Sequence, residues 1–327
     1  MGNAGSAAAP NTVSALQTML GVAVRGYASK AIDGPDVVYD LSYGGWAFEF
    51  VVGVTIGFFI IYWMTSEFFA KPVARHMLGK SSTTKRSVKF AQSIMEFIQF
   101  SVFFVFGARI LYSQDWFWPS AQWFSGHSIG KHDSGPVAVA AFYLLYLCRY
   151  ISNLFFVTFV DIKRKDFWEM FIHHAVTAVL VALSYMGCFW RVGLVIMVLL
   201  DIGDPPLHFA KMFKYMHEEH GDGIYIAVAN GSFNVFGVVF FITRLVMYGY
   251  VSWSCWSEGY SEAVKDGSPY DTWSTITFCN IMVSILYGLQ CFWMTLLVKA
   301  AIRMSSTGEV QDTRSDSESE DFAKKNK

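Results

Sequence analysis

Seven stretches of this chain are apolar for long enough to cross a bilayer, whose hydrocarbon about 20 helical residues span. They lie near 45–64, 87–111, 136–160, 168–187, 191–211, 223–248 and 273–299. Hydrocarbon offers a backbone N–H or C=O no partner, so each such segment must bond internally, as a helix. Composition agrees. The chain is 54% hydrophobic and only 16% charged, against roughly 25% charged residues in soluble domains. A soluble globule is excluded, and the expected fold class is an all-α polytopic membrane protein with about seven transmembrane helices. The link around Gly187 to Trp190 is so short that the fourth and fifth spans must form a hairpin.

Cations orient the spans. Lys71, Arg75, Lys80, Lys85, Arg86 and Lys89 follow the first span, and Lys163, Arg164 and Lys165 the third. Lys211 and Lys214 follow the fifth, and Lys299 and Arg303 the seventh. The other side is aromatic (DWFWPSAQWF), and its 251–271 loop sets Glu258, Glu262, Asp266 and Asp271 against Lys265. The alternation predicts a lumenal or external N-terminus and a cytosolic C-terminus. Residues 1–15 are small and polar, read as disordered, and carry no cationic region of a cleaved signal peptide. Met1-Gly2 with Ser6 fits a myristoylation pattern, but that needs a cytosolic N-terminus.

In the polar tail, Thr313, Ser315, Ser317 and Ser319 lie among acids and are candidate phosphorylation sites. Lys324 and Lys325, fourth and third from the end, resemble the dilysine signal that returns membrane proteins to the endoplasmic reticulum. The domain reading is a lumenal segment 1–44, a first helix 45–64, a cytosolic linker 65–86, a main membrane domain 87–303 and a cytosolic tail 304–327. Five cysteines lack metal-like spacing. Cys188 and Cys255 could meet on one side of the membrane, though unpaired thiols are the simpler reading. The net charge of −1 gives no reason to invoke nucleic acid.

Against this apolar background, residues 167–215 are anomalous. His173 and His174 sit in one span, and Asp201 and Asp204 in the next. An Asp at a helix centre costs about 2.5–3.5 kcal/mol on insertion scales, so four such groups are expected to work. His173 lies about 9 Å from the cytosolic end of its span, Asp204 about 10 Å and Asp201 about 15 Å, at 1.5 Å per residue. All four fall in the cytosolic half. Asp201 and Asp204 share a helix face, which His208 continues, while Glu169, His173, Thr177 and Ser184 form a stripe on the other helix. Pro205 and Pro206 should loosen the helix there, as is tolerated beside a cavity.

A His beside an Asp serves as a general base with an oriented tautomer, and imidazole also accepts an acyl group covalently. A second His can stabilise an oxyanion. A thioester donor is already activated, so no metal, ATP or other cofactor is expected. A purely structural polar network locking two helices is the bland alternative. Membrane di-iron oxygenases need repeated histidine boxes, whereas His76, His127 and His132 lie far off here. The HxxH of His217 and His220 reads as a solvated cytosolic loop.

These residues resemble the ceramide synthases, the Lag1 branch of the TLC-domain family, whose pattern runs HHxxTxxL…SY…RxGxxI…D…D…AK…Y. The chain carries His173-His174, Thr177, Leu180, Ser184-Tyr185, Arg191, Gly193, Ile196, Asp201, Asp204, Ala210-Lys211 and Tyr215. KRKDFWEM before them, FFITR at 240–244 and LQxxW from Leu289 to Trp293 match too. The likeness covers roughly residues 85–303. Departures are Leu199 before Leu200-Asp201 where many members have LHD, Ile202-Gly203 between the aspartates, Pro205-Pro206, and no homeobox-like insert after the first span.

The resemblance implies a sphingoid-base N-acyltransferase of the endoplasmic reticulum membrane, making ceramide or dihydroceramide from a fatty acyl-CoA. It implies spans two to seven around a central cavity, with span one peripheral. His173, His174, Asp201 and Asp204 are the implied catalytic set. Arg149, Asn153, Thr177, Ser184, Tyr185, Arg191, His208, Lys211, Arg244 and Trp293 are candidate substrate-binding residues. Arg149, Asn153 and Arg244 read equally as cavity groups or helix tethers. Lys163, Arg164, Lys165 and Lys211 are candidates for the CoA phosphates. Expected partners are acyl-CoA, a sphingoid base, membrane lipids, further copies or homologous subunits, and an accessory subunit. Acyl chain length is expected to be set by the 250–272 loop. The alternatives are a non-catalytic TLC-type lipid-binding or translocation-associated protein and a lipid hydroxylase.

Overall fold

The computed structural model describes residues 48–79, 82–124, 136–160, 166–187, 189–265 and 270–308, and among these there are helices and no strands. Seven helical units are long and apolar enough to cross a membrane. They are Val51–Leu78, Thr84–Tyr112, Ala138–Val160, Phe167–Met186, Trp190–His220, Gly223–Glu262 and Thr275–Thr307, numbered here as spans one to seven. Span two packs on three and five, three on four, four on seven, seven on six, and six on five. Six spans therefore close into a ring. Span one lies outside it, with Phe59 stacked on Phe156 of span three at 4.9 Å.

The outer surface carries large exposed apolar side chains, among them Val102, Val105, Phe159, Val238 and Ile302. Such residues belong against lipid, which solvates them as well as the protein interior does. Because lipid supplies no hydrophobic force between helices, close packing has to hold the ring together. Glycine provides it at several places among the described residues, most tightly at Gly193 and Gly107. A Cβ on Gly193 would lie 1.9 Å from Tyr143 Oη, and one on Gly107 would lie 2.7 Å from Val198 Cγ2. Tyr143 uses that space to donate to the Trp190 carbonyl at 3.0 Å, tying span three to span five.

Three helices run further than their apolar patterns suggest. Span five continues to His220, so His217 and His220 close a helix and do not lie in a solvated loop. The extra turns are held by Arg86 of span two, which meets Glu219 at 2.5 Å and Glu218 at 3.4 Å. His220 bonds the Met77 carbonyl, and Gly221 stops the helix in the left-handed conformation at φ 74°. Span six continues through Tyr248–Lys265, so most of the 250–272 stretch is helix where a loop was expected. Asn280 of span seven donates to the Cys255 carbonyl at 2.9 Å, and Tyr260 bonds Thr277, so this extension has a wall to pack on. Span one runs to Leu78, which makes most of the 65–86 linker helical.

Span five is interrupted between its two aspartates. One helix ends at Asp201, Ile202 and Gly203 form a turn, and the next helix starts at Asp204 with prolines in its first turn. Proline suits a first helical turn because its missing N–H would be unbonded there anyway. Gly193→Ala should lower the thermal stability of the purified protein in detergent by about 1–3 kcal/mol, the range for overpacking. Adding Tyr143→Phe, which removes the clashing hydroxyl, should restore part of the melting temperature.

Candidate active site

The costliest groups are the two aspartates, and each is met by an arginine from a different helix. Asp201 accepts from Arg149 Nη1 of span three at 2.9 Å through Oδ2, and from Tyr146 Oη at 3.2 Å through Oδ1. The pair is sealed, with side-chain exposures of 0% for Arg149 and 2% for Asp201. Arg149 lies among rings, 4.2 Å from the Phe100 centroid, 4.8 Å from Phe103, 5.3 Å from Tyr146 and 5.6 Å from Tyr150. Aromatic faces favour a desolvated guanidinium, which explains how the cation is tolerated there.

Asp204 accepts from Arg244 Nη2 of span six at 2.5 Å. Arg244 lies in a π-helical stretch, Phe241–Met247, and such widened turns re-aim side chains, often at functional sites. The same nitrogen bonds the carbonyl of Leu200, the second-last residue of the helix before the break in span five, and Nη1 bonds Gln290 Oε1 of span seven at 3.1 Å. One guanidinium thus joins spans five, six and seven.

The histidines stand apart from this network. No hydrogen bond joins His173 or His174 to either aspartate; the carboxylates pair with arginines instead, because a buried carboxylate needs a countercharge more than a neutral imidazole does. The two imidazoles are neighbours, with ring centroids 5.3 Å apart. Tyr150 lies 5.8 Å from His173 and 5.5 Å from His174. Trp293 of span seven stands edge-on to His173 at 5.3 Å. Nδ1 of both histidines is buried without a hydrogen-bond partner.

Two cavities meet here. A wide one of about 250 Å³ is lined by both histidines, both aspartates, Arg149, Arg244 and Trp293, and by Lys89, Glu96, Lys211 and Lys214. A narrow one of about 70 Å³ runs between apolar side chains such as Leu180, Ile196, Val283 and Leu286. Tyr150, His173 and Leu200 line both, so His173 stands at the junction of a polar chamber and an apolar channel.

Asn153 and His208 line the wide cavity, His208 stacked on Phe100 at 5.6 Å. Thr177 and Ser184 line the narrow one. Tyr185 packs on Tyr143 at 5.3 Å and lines neither cavity. Arg191 donates to the Gln122 carbonyl at 3.1 Å and lies beside Trp116 and Trp190, so it ties the hairpin end and does not reach the histidines. Among the described residues no three His, Cys, Asp or Glu side chains assemble as a metal site. Gly2, Lys163, Arg164, Lys165, Cys188, Thr313, Ser315, Ser317, Ser319, Lys324 and Lys325 lie outside the described residues.

Sequence reasoning passed over Tyr146, Tyr150 and Gln290. A signal existed: Tyr146, Arg149, Tyr150 and Asn153 recur at helical spacing, and Gln290 is the polar member of LQxxW.

A family model for the TLC domain matches residues 89–299. The chain belongs to the TLC-domain family. This TLC protein is similar to ceramide synthase 5 of Mus musculus, 33% identical over 237 residues, which are 71% of this chain and 52% of the mouse protein. The Homo sapiens ceramide synthase 5 is 34% identical over 232 residues, 71% of this chain and 55% of that protein. The chain thus spans about half the length of these mammalian relatives. Ceramide synthase LOH2 of Arabidopsis thaliana is 25% identical over 299 residues, 88% of this chain and 97% of the plant protein.

Arg149→Met should cost about 3–5 kcal/mol, because it leaves Asp201 as an uncompensated buried charge. The double variant Arg149→Met/Asp201→Asn should recover part of that loss. Thermal midpoints in detergent decide it; a double variant no more stable than the single one would show that the pair is not what Arg149 supplies.

Proposed function

We propose that this protein is an acyl-CoA-dependent sphingoid-base N-acyltransferase that forms ceramide or dihydroceramide. The observation that carries the reading is the position of His173, with an unpartnered ring nitrogen, where a polar chamber meets an apolar channel. A fatty acyl thioester has that division, a long apolar tail joined to a large anionic head. The tail would occupy the narrow channel, and Lys89, Lys211 and Lys214 at the wide cavity would meet the CoA phosphates. The ceramide synthase relatives point to the same substrates.

In this reading one imidazole attacks the thioester carbon, the carbon–sulfur bond breaks and CoA leaves as its thiolate. The amine of the base then attacks the acyl-imidazole, and the second imidazole accepts a proton. The arginine-paired aspartates hold the surrounding field fixed. A preorganised charge lattice in a low-dielectric site stabilises developing charge without reorganising. No cofactor enters this scheme. The same reading places the protein in the endoplasmic reticulum membrane, the N-terminus lumenal and the phosphorylatable, dilysine-bearing tail cytosolic. Residues 87–303 are then the catalytic unit, and oligomerisation or an accessory subunit is compatible with it.

Membranes containing the protein should form amide from acyl-CoA and sphinganine. His173→Ala or His174→Ala should reduce that rate by about 10²–10⁴-fold with the protein still present, the range for acid–base and nucleophilic groups. Undiminished activity in either variant would overturn the role of that histidine. Binding of both substrates to wild-type protein without turnover would favour a lipid-binding TLC protein.

A further inference from the structure

The two aspartates differ in one respect that the shared motif hides. Asp201 has both carboxylate oxygens occupied, Oδ2 by Arg149 and Oδ1 by Tyr146, and its side chain is 2% exposed. Asp201 also lines the wide cavity, but a substrate would have to compete with Arg149 and Tyr146 for its oxygens. Asp204 engages Arg244 through Oδ2 only, keeps 14% of its side chain exposed and lines the wide cavity together with both histidines. We infer that Asp204, through Oδ1, is the group that receives the amine of the long-chain base, while Asp201 is a positioning residue that never touches substrate. The inference rests on the acyltransferase reading above.

The chemistry suits such an oxygen. A primary amine must present its lone pair to the acyl carbon, and a carboxylate oxygen accepting one N–H orients it. Such charge-assisted bonds are about twice as strong as neutral ones. Arg244 already balances the carboxylate through its other oxygen, so Asp204 can bind the neutral, nucleophilic amine without demanding that it be protonated. The amine nitrogen bonds to the acyl carbon, the acyl–imidazole bond breaks, and the amine proton passes to the second imidazole. A second cue comes from the backbone. Asp204 opens a helix immediately after the break in span five, so its side chain sits where the helix surface is interrupted.

The test uses full-length purified protein and measures two reactions separately: CoA thiol release from acyl-CoA alone, and amide formation at varied sphinganine. Asp204→Asn should raise the KM for sphinganine about ten- to hundredfold, the usual effect of losing a bond to a charged group, with a much smaller change in the KM for acyl-CoA. Asp204→Glu, which keeps the carboxylate, should recover part of the loss and keeps the test decisive if the Asn variant does not fold. Asp201→Asn should instead impair both reactions and the thermal midpoint together. An unchanged sphinganine KM in Asp204→Asn, or equal damage to both KM values, would overturn the inference. Absence of thiol release and amide in the wild type would instead overturn the underlying function.

Discussion

Asp201 and Asp204 can sit inside hydrocarbon because each is met by an arginine from another helix. An isolated carboxylate at that depth would not be retained; a paired one costs little once its countercharge and hydrogen bonds are in place. Arg149 brings span three to span five, and Arg244 brings spans six and seven to the same helix through Leu200, Asp204 and Gln290. Four of the six ring helices are thereby tied at one level. Buried charges tolerate few alternative arrangements, so this level is the most strictly specified part of the bundle.

Span four contributes the histidines and takes no part in these ion pairs. Its imidazoles contact aromatic rings, and their Nδ1 atoms are buried without partners. A buried polar atom left unpaired is a standing cost that a structural network would have removed. The distribution of bonds therefore separates two roles that the sequence motif joins: a charge lattice that fixes the chamber, and a histidine pair left free within it.

Much of this was legible from residue order. Uninterrupted apolar runs marked the spans, since lipid leaves the backbone no other option, and the polar exceptions within them marked the site. Partner choice was not legible. Arg149 read equally well as a cavity group or a tether, because the ring order that places span three against span five is a tertiary fact. The ends of spans five and six were also hidden. Charged residues at 214–220 look like a loop until Arg86 arrives from span two, and the polar stretch after Tyr250 looks like a loop until span seven supplies Asn280 and Thr277. Tyr146 shares a helix face with Arg149, Tyr150 and Asn153, a signal that reading the charged residues alone passed over, while Gln290 reveals its purpose only through Arg244.

The most direct test of the histidines as the reacting groups is intact-mass and peptide mass spectrometry of the purified protein after brief exposure to acyl-CoA without amine. The account predicts one added acyl group on a peptide containing His173 and His174, discharged by sphinganine and absent from the His173→Gln/His174→Gln variant. An acyl group carried elsewhere, for example on the Cys255 or Cys279 thiol of the apolar channel, or one that persists in the double variant, would contradict it.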